Sequence, residues 1–93
     1  MANITGYVSK KLTANIAEQS VVLDTNIFQL IKNASANTVT INIDNLTTED
    51  NSIELAANES IENFESYCKT LYYKASVDGS TLKIIALRDK LYY

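Results

Sequence analysis

Thr38-Val39-Thr40-Ile41-Asn42-Ile43 alternates polar and apolar residues without a break, and five of its six positions are β-branched. Alternation with a period of two is the signature of a strand with one buried and one wet face. Val39, Ile41 and Ile43 therefore point to a core, and Thr38, Thr40 and Asn42 point away from it. Before this strand lies the short polar linker Asn33-Ala34-Ser35-Ala36-Asn37, and before that the apolar segment Ile27-Phe28-Gln29-Leu30-Ile31-Lys32. A linker of that length between two strand-like segments predicts a β-hairpin over 27–43.

Further along, the polar stretch 44–52 reads as a loop and Ile53-Glu54-Leu55 as a short strand. Leu71-Tyr72-Tyr73-Lys74-Ala75-Ser76-Val77 and Thr81-Leu82-Lys83-Ile84-Ile85-Ala86-Leu87 flank Asp78-Gly79, whose tolerance of positive φ predicts a tight turn and a second hairpin. Leu71, Tyr73, Ala75 and Val77 share one face, as do Leu82, Ile84 and Ala86. Ile85 and Leu87 fall on the other face, which predicts a last strand covered on both sides. Tyr7-Val8 and Ser20-Val21-Val22-Leu23 are further strand candidates. In 59–69 there is an alternative: Ile61, Phe64, Cys68, Leu71 and Ala75 recur at helical spacing, and Asn58 could cap a short helix there. Asn, Ser, Tyr and Thr are only moderate helix formers, which favours the strand reading.

The composition narrows the function. With 93 residues, 46% of them hydrophobic and 20% charged, the chain is expected to form one domain, 1–93. A domain of this size has little stability to spare, and oligomerisation is the obvious supplement. Asn, Ser and Thr together number 27, which is strand-and-turn chemistry. There is no His, Trp or Pro and only one Cys, so neither Cys68 nor any Ser has a histidine base, and no catalytic or metal-ligating residue is assigned. No enzyme activity and no cofactor are expected. Cys68 reads as a small buried apolar residue, dispensable for activity.

Glu59, Glu62 and Glu65 would form a carboxylate patch if helical and otherwise read as a solvated acidic face. The loop 44–51 is rich in oxygen ligands but lacks the spacing and central glycine of a calcium loop, so an ordinary polar loop is expected. Gly6 and Gly79 are too far apart for a phosphate cradle. A net charge of −3 with scattered basic residues, of which only Lys10 and Lys11 are adjacent, argues against nucleic acid. No membrane-spanning run and no secretory leader are expected from the pattern. The sequons at Asn3, Asn33, Asn45 and Asn58 are read as a consequence of composition.

From residue 27 onward the order of segments carries a resemblance. Phe28-Gln29-Leu30-Ile31-Lys32-Asn33 is followed by the strand 37–43, then Leu55-Ala56-Ala57-Asn58-Glu59-Ser60-Ile61, then Leu71-Tyr72-Tyr73-Lys74-Ala75, and last Gly79-Ser80-Thr81-Leu82-Lys83-Ile84-Ile85-Ala86-Leu87-Arg88. This resembles the small β-sandwich virion proteins of tailed bacteriophages, with Ala57-Asn58 standing where that pattern has Pro-Gly. The resemblance implies a head auxiliary or capsid decoration protein, made in the bacterial host cytoplasm and located in the virion, whose partner is the major capsid protein or another virion protein. A homo-oligomer is expected, and the symmetry axes of a shell favour a trimer. The competing reading is a carbohydrate- or receptor-binding β-sandwich module of a phage fibre or tail.

The expected fold is thus all-β: a small antiparallel β-sandwich, jelly-roll or Ig-like, with a short helix near 59–69 as the alternative. Its core is assigned to Phe28, Leu30, Val39, Ile41, Ile43, Leu71, Tyr73, Leu82, Ile84 and Ala86. If Phe28 and Leu30 face inward, Ile31 faces out. Ile31, Leu91, Tyr92 and Tyr93 are therefore the candidate interface residues, with 1–12 and 89–93 as partner-contacting ends.

Overall fold

The computed structural model describes residues 4–89, with side chains from 8 to 87. Six strands follow one another: β1 (Ile4–Ala14), β2 (Gln19–Asn33), β3 (Val39–Ile43), β4 (Ile53–Leu55), β5 (Ser60–Ala75) and β6 (Ser80–Asp89). They form one antiparallel sheet in the order β1-β6-β2-β5-β3-β4. At about 3.3 Å per residue, β2 and β5 would each run about 50 Å if straight. The molecule is only 39 Å in its longest dimension, so both strands must bend.

The bends are built from irregular pairing. β2 shifts register against β5 on either side of Thr25, and Asp24 there has φ 48°. Thr25 is buried, and its hydroxyl reaches the carbonyls of Leu87 and Ile27, which fastens the bend to the end of β6. The sheet consequently folds over on itself into two layers. One layer holds β1, β6, the second half of β2 and the first half of β5. The other holds the first half of β2, the second half of β5, β3 and β4. Between them lies the core, in which Phe28, Val39, Leu71, Leu82, Ile84 and Ala86 are fully buried and the Phe28 and Phe64 rings stack with centroids 6.2 Å apart.

This all-β antiparallel sandwich is the expected fold class, and no helix occurs among the described residues. The helical alternative over 59–69 is corrected: that stretch lies in β5, paired along β2. Both expected hairpins are corrected as well. β2 and β3 are separated by β5, and β5 and β6 are separated by β2. The linkers 34–38 and 76–79 do turn the chain, and Gly79 has φ 84°, but they carry it from one layer to the other as arches.

The position of Ile31 is also corrected, for a physical reason the alternation hides. Phe28 pairs with Ala86 and Leu30 with Ile85, so β2 carries one extra residue there. β5 carries the matching irregularity at Asn63, whose φ is 53°. A bulge of this kind reverses the facing of every later residue. Phe28 and Ile31 both point inward, Ile31 is 1% exposed, and Leu30 moves to the outer face. β6 has no such interruption, and Ser80, Leu82, Ile84 and Ala86 alternate cleanly inward.

The four connections between layers, 15–18, 34–38, 56–59 and 76–79, meet at one end of the sandwich, around Asn33. Its side chain is completely buried and its amide donates to the carbonyls of Leu55 and Ala56, each at 3.0 Å, and to that of Asn37. Its carbonyl oxygen accepts from the Ser35 hydroxyl at 2.6 Å. Asn37 reaches Ser80 across the layers, and the Ala75 amide donates to the Asn15 carbonyl at 2.8 Å. Ala57-Asn58 completes a turn closed by the Glu59 amide on the Ala56 carbonyl. Asn58 has φ 60° there, the conformation a glycine would supply, and Asn is the next residue to tolerate it.

Candidate interaction surfaces

Chemistry on a β-sandwich is read from what its two outer faces and its edges present. In the first layer, register brings three rows to the outer face. Lys11 pairs with Lys83, Lys83 with Lys32, and Lys32 with Ser60. In the next row Ser9, Ile85, Leu30 and Glu62 stand side by side, and in the third Leu87, Ile27 and Glu65. Three lysines thus occupy adjacent strands, spanning about 10 Å of sheet. Directly opposed like charges destabilise a sheet. Beside them is a shallow depression of about 300 Å³ lined by Ser9, Lys10, Lys11, Lys83, Leu30 and Ile85 together with Ile84. A neighbouring one of about 510 Å³ continues over Gln29, Glu62 and Asn63.

On the opposite face of the sandwich the loop between β3 and β4 folds over the second layer. Its floor is Asn42, on the outward side of β3 but only 4% exposed, whose amide donates to the Leu46 carbonyl and the Asn51 side chain, each at 2.9 Å. Thr47 is likewise buried, and its amide and hydroxyl donate to the Glu18 carboxylate. Those donors from Thr47, with Lys74 nearby, hold the Glu18 carboxyl below its ordinary pKa against the opposing effect of burial. Asp44 has φ 55°, and its carboxylate accepts the amides of Lys69 and Thr70 at 3.0 and 2.8 Å. The loop is therefore held in one shape. From it Leu46, Glu49 and Asp50 project into solvent, followed by Ile53 and Glu54 of β4.

The candidate interface residues fare differently. Ile31 is in the core, and Leu91, Tyr92 and Tyr93 lie outside the described residues, as do the side chains of 1–7. Glu62 and Glu65 share the outer face of β5 on either side of its bulge, whereas Glu59 turns its carboxylate onto the Ala56 amide at 2.9 Å. Among the described residues no group of three or more His, Cys, Asp or Glu is placed to hold a metal. Cys68 is fully buried as a free thiol, and burial, with Asp44 adding, pushes its pKa up to about 12. Asn33, one of the sequon residues, is inaccessible in the fold. Among the described residues no helix is long and apolar enough to cross a membrane.

Sequence reasoning missed the lysine row, because Lys11, Lys32 and Lys83 are far apart in the chain and only strand order unites them. It also read 44–52 as an ordinary loop. The signal that was present is the absence of any basic residue between Asp44 and Glu54 alongside four acidic ones.

No known family model, curated protein or solved structure matches this chain.

Proposed function

We propose that the chain is a non-enzymatic structural protein of a bacteriophage virion, a head auxiliary or decoration protein that binds the capsid surface in repeated copies, with a trimer as the favoured free state. The observation that carries this reading is a lysine row on one outer face and an acidic loop on the opposite one, on a scaffold whose buried side-chain polar atoms are all paired among the described residues. A protein whose work is to lie against neighbours needs charged, complementary faces more than it needs a cleft. The β1 edge supports the same reading. It is 11 residues long, pairs on one side only, and keeps Lys10 exposed on the core-facing row, a device that discourages uncontrolled strand addition.

Mass spectrometry of purified virions from cells that carry the gene tests it. Peptides of this chain at a stoichiometry matching a shell protein are expected, and imaging should then find density outside the capsid. Virions free of those peptides would overturn the proposal. One observation favours the second reading, a glycan-binding module: Tyr67 is half exposed, its hydroxyl donates to Asp24 at 3.1 Å, and Val22 is exposed on the same layer. Aromatic rings beside carboxylates can stack on and hydrogen-bond a sugar. A reproducible hit on a glycan array, lost in Tyr67→Ala, would select it.

A further inference from the structure

We infer that copies of this chain associate head to tail, the acidic loop 44–54 of one copy seated on the lysine row of the next. The inference rests on the repeated-copy reading above and names the two surfaces that would do the work. Its occupant is a second copy because the chain itself carries both halves of the match. Of its 8 basic residues, Lys11, Lys32 and Lys83 line up on three adjacent strands of one outer face, and the loop with β4 carries Asp44, Glu49, Asp50 and Glu54 with no basic residue. The apolar parts match too. Leu30 and Ile85 border the lysines in the depression of about 300 Å³, while Leu46 is 46% exposed on the loop and Ile53 36% beside it.

Two features make the loop suited to docking. Its backbone is already ordered by Asn42, Thr47, Glu18 and Asp44, so little conformational freedom is lost when it binds. It also lies on the opposite face of the sandwich from the lysines, so the two surfaces cannot meet within one molecule. A contact between different patches leaves a free loop at one end and a free lysine row at the other. It closes into a ring if the rotation between copies allows, and otherwise continues as a chain of subunits.

Light scattering and sedimentation on the full chain test this with two variants, each checked for an unchanged β-sheet circular-dichroism spectrum. Lys11→Glu with Lys83→Glu reverses the basic face, and Glu49→Lys with Asp50→Lys reverses the loop. The unmodified chain is expected to associate at low salt and to fall apart as salt rises from about 0.1 to about 1 M, where the screening length drops from about 10 to about 3 Å. Each variant alone is expected to be monomeric. Mixed together they are expected to associate again in alternating order, because the unaltered loop of the first fits the unaltered face of the second, and the reversed face of the first is opposite in charge to the reversed loop of the second. A chain that is monomeric under all conditions overturns the inference while leaving virion incorporation to be judged by mass spectrometry. An oligomer that survives both charge reversals also overturns it, and shows that copies meet through other surfaces such as the β1 edge.

Discussion

The arch end of the sandwich and the lysine row stand within a few residues of each other on β2, yet they follow opposite rules. Around Asn33 every hydrogen-bonding atom of the buried side chain has a partner, and two connections, 34–38 and 56–59, are tied with the end of β4 to one amide. One position earlier, Lys32 faces outward and sits opposite Lys83, which sits opposite Lys11. The first arrangement lowers the free energy of the isolated molecule. The second raises it, by an amount that an anionic surface would recover. The contrast separates residues that hold the fold from residues available to a partner, and four experiments press on it.

The largest effect is expected at Asn33. Asn33→Ala leaves the buried Leu55 carbonyl without its side-chain donor, strips the Asn37 carbonyl and the Ser35 hydroxyl of their partner, and leaves the Ala56 carbonyl to the Glu59 amide alone, and should cost about 3 kcal/mol of unfolding free energy by urea titration. A loss below about 1 kcal/mol would mean that backbone pairing, not the Asn33 network, closes this end. Ile31→Ala comes next, at about 2 to 5 kcal/mol, because it removes most of a side chain that is 1% exposed and leaves a cavity in the core. An interface isoleucine would instead leave monomer stability unchanged and weaken association, so this variant decides whether the β2 bulge turns Ile31 inward in solution.

A third test uses alkaline pH. The folded Cys68 thiol keeps its proton to about 12, whereas its ordinary value is 9.0, and burial likewise raises the Tyr73 phenol. Since the folded state then binds more protons than the unfolded state above pH 9, their contribution is complete below that pH and is lost as pH climbs toward 12. Thiol-specific reagent at pH 8 to 9 should label Cys68 only as fast as the protein opens, and Cys68→Ala should flatten part of the alkaline slope. Rapid labelling of the folded protein would contradict the buried thiol. The smallest effect belongs to the other side of the comparison. Lys83→Glu puts opposite charges beside Lys11 and Lys32, and should stabilise the isolated chain by about 0.5 kcal/mol at low salt. A loss of stability would mean that the lysines are already neutralised within the molecule.

Element by element, legibility followed regularity. β6 could be read residue by residue because Leu82, Ile84 and Ala86 alternate without interruption, and the facing of β3 likewise, although the loop that buries its outward Asn42 could not. β2 and β5 could not, because each bends and bulges. Buried positions on β2 run Leu23, Thr25, Asn26, Phe28, Ile31 and Asn33, a spacing that obeys neither a strand nor a helix period throughout. The apparent helical recurrence of Ile61, Phe64 and Cys68 has the same origin, since the irregular pairing of β5 at Asn63 and near Cys68 spaces inward residues three or four apart. Of the candidate surfaces, the acidic loop was visible as composition but not as a rigid body, and the lysine row was not visible at all.

What the sequence determined by itself was the class of structure. Alternating β-branched residues, Asn-rich linkers and Asp78-Gly79 require strands and turns. Which strand lies beside which was decided only by the tertiary structure. Pairing is long-range, and a short linker such as 34–38 serves a hairpin or an arch equally well until the rest of the sheet is in place. Once β5 and β6 flank β2, Lys32 and Lys83 become neighbours, Ile31 turns inward at the bulge, and the lysine row comes to lie on the face opposite the acidic loop. The physical reason is that side-chain facing in a sheet depends on register, and one extra residue reverses it for everything that follows.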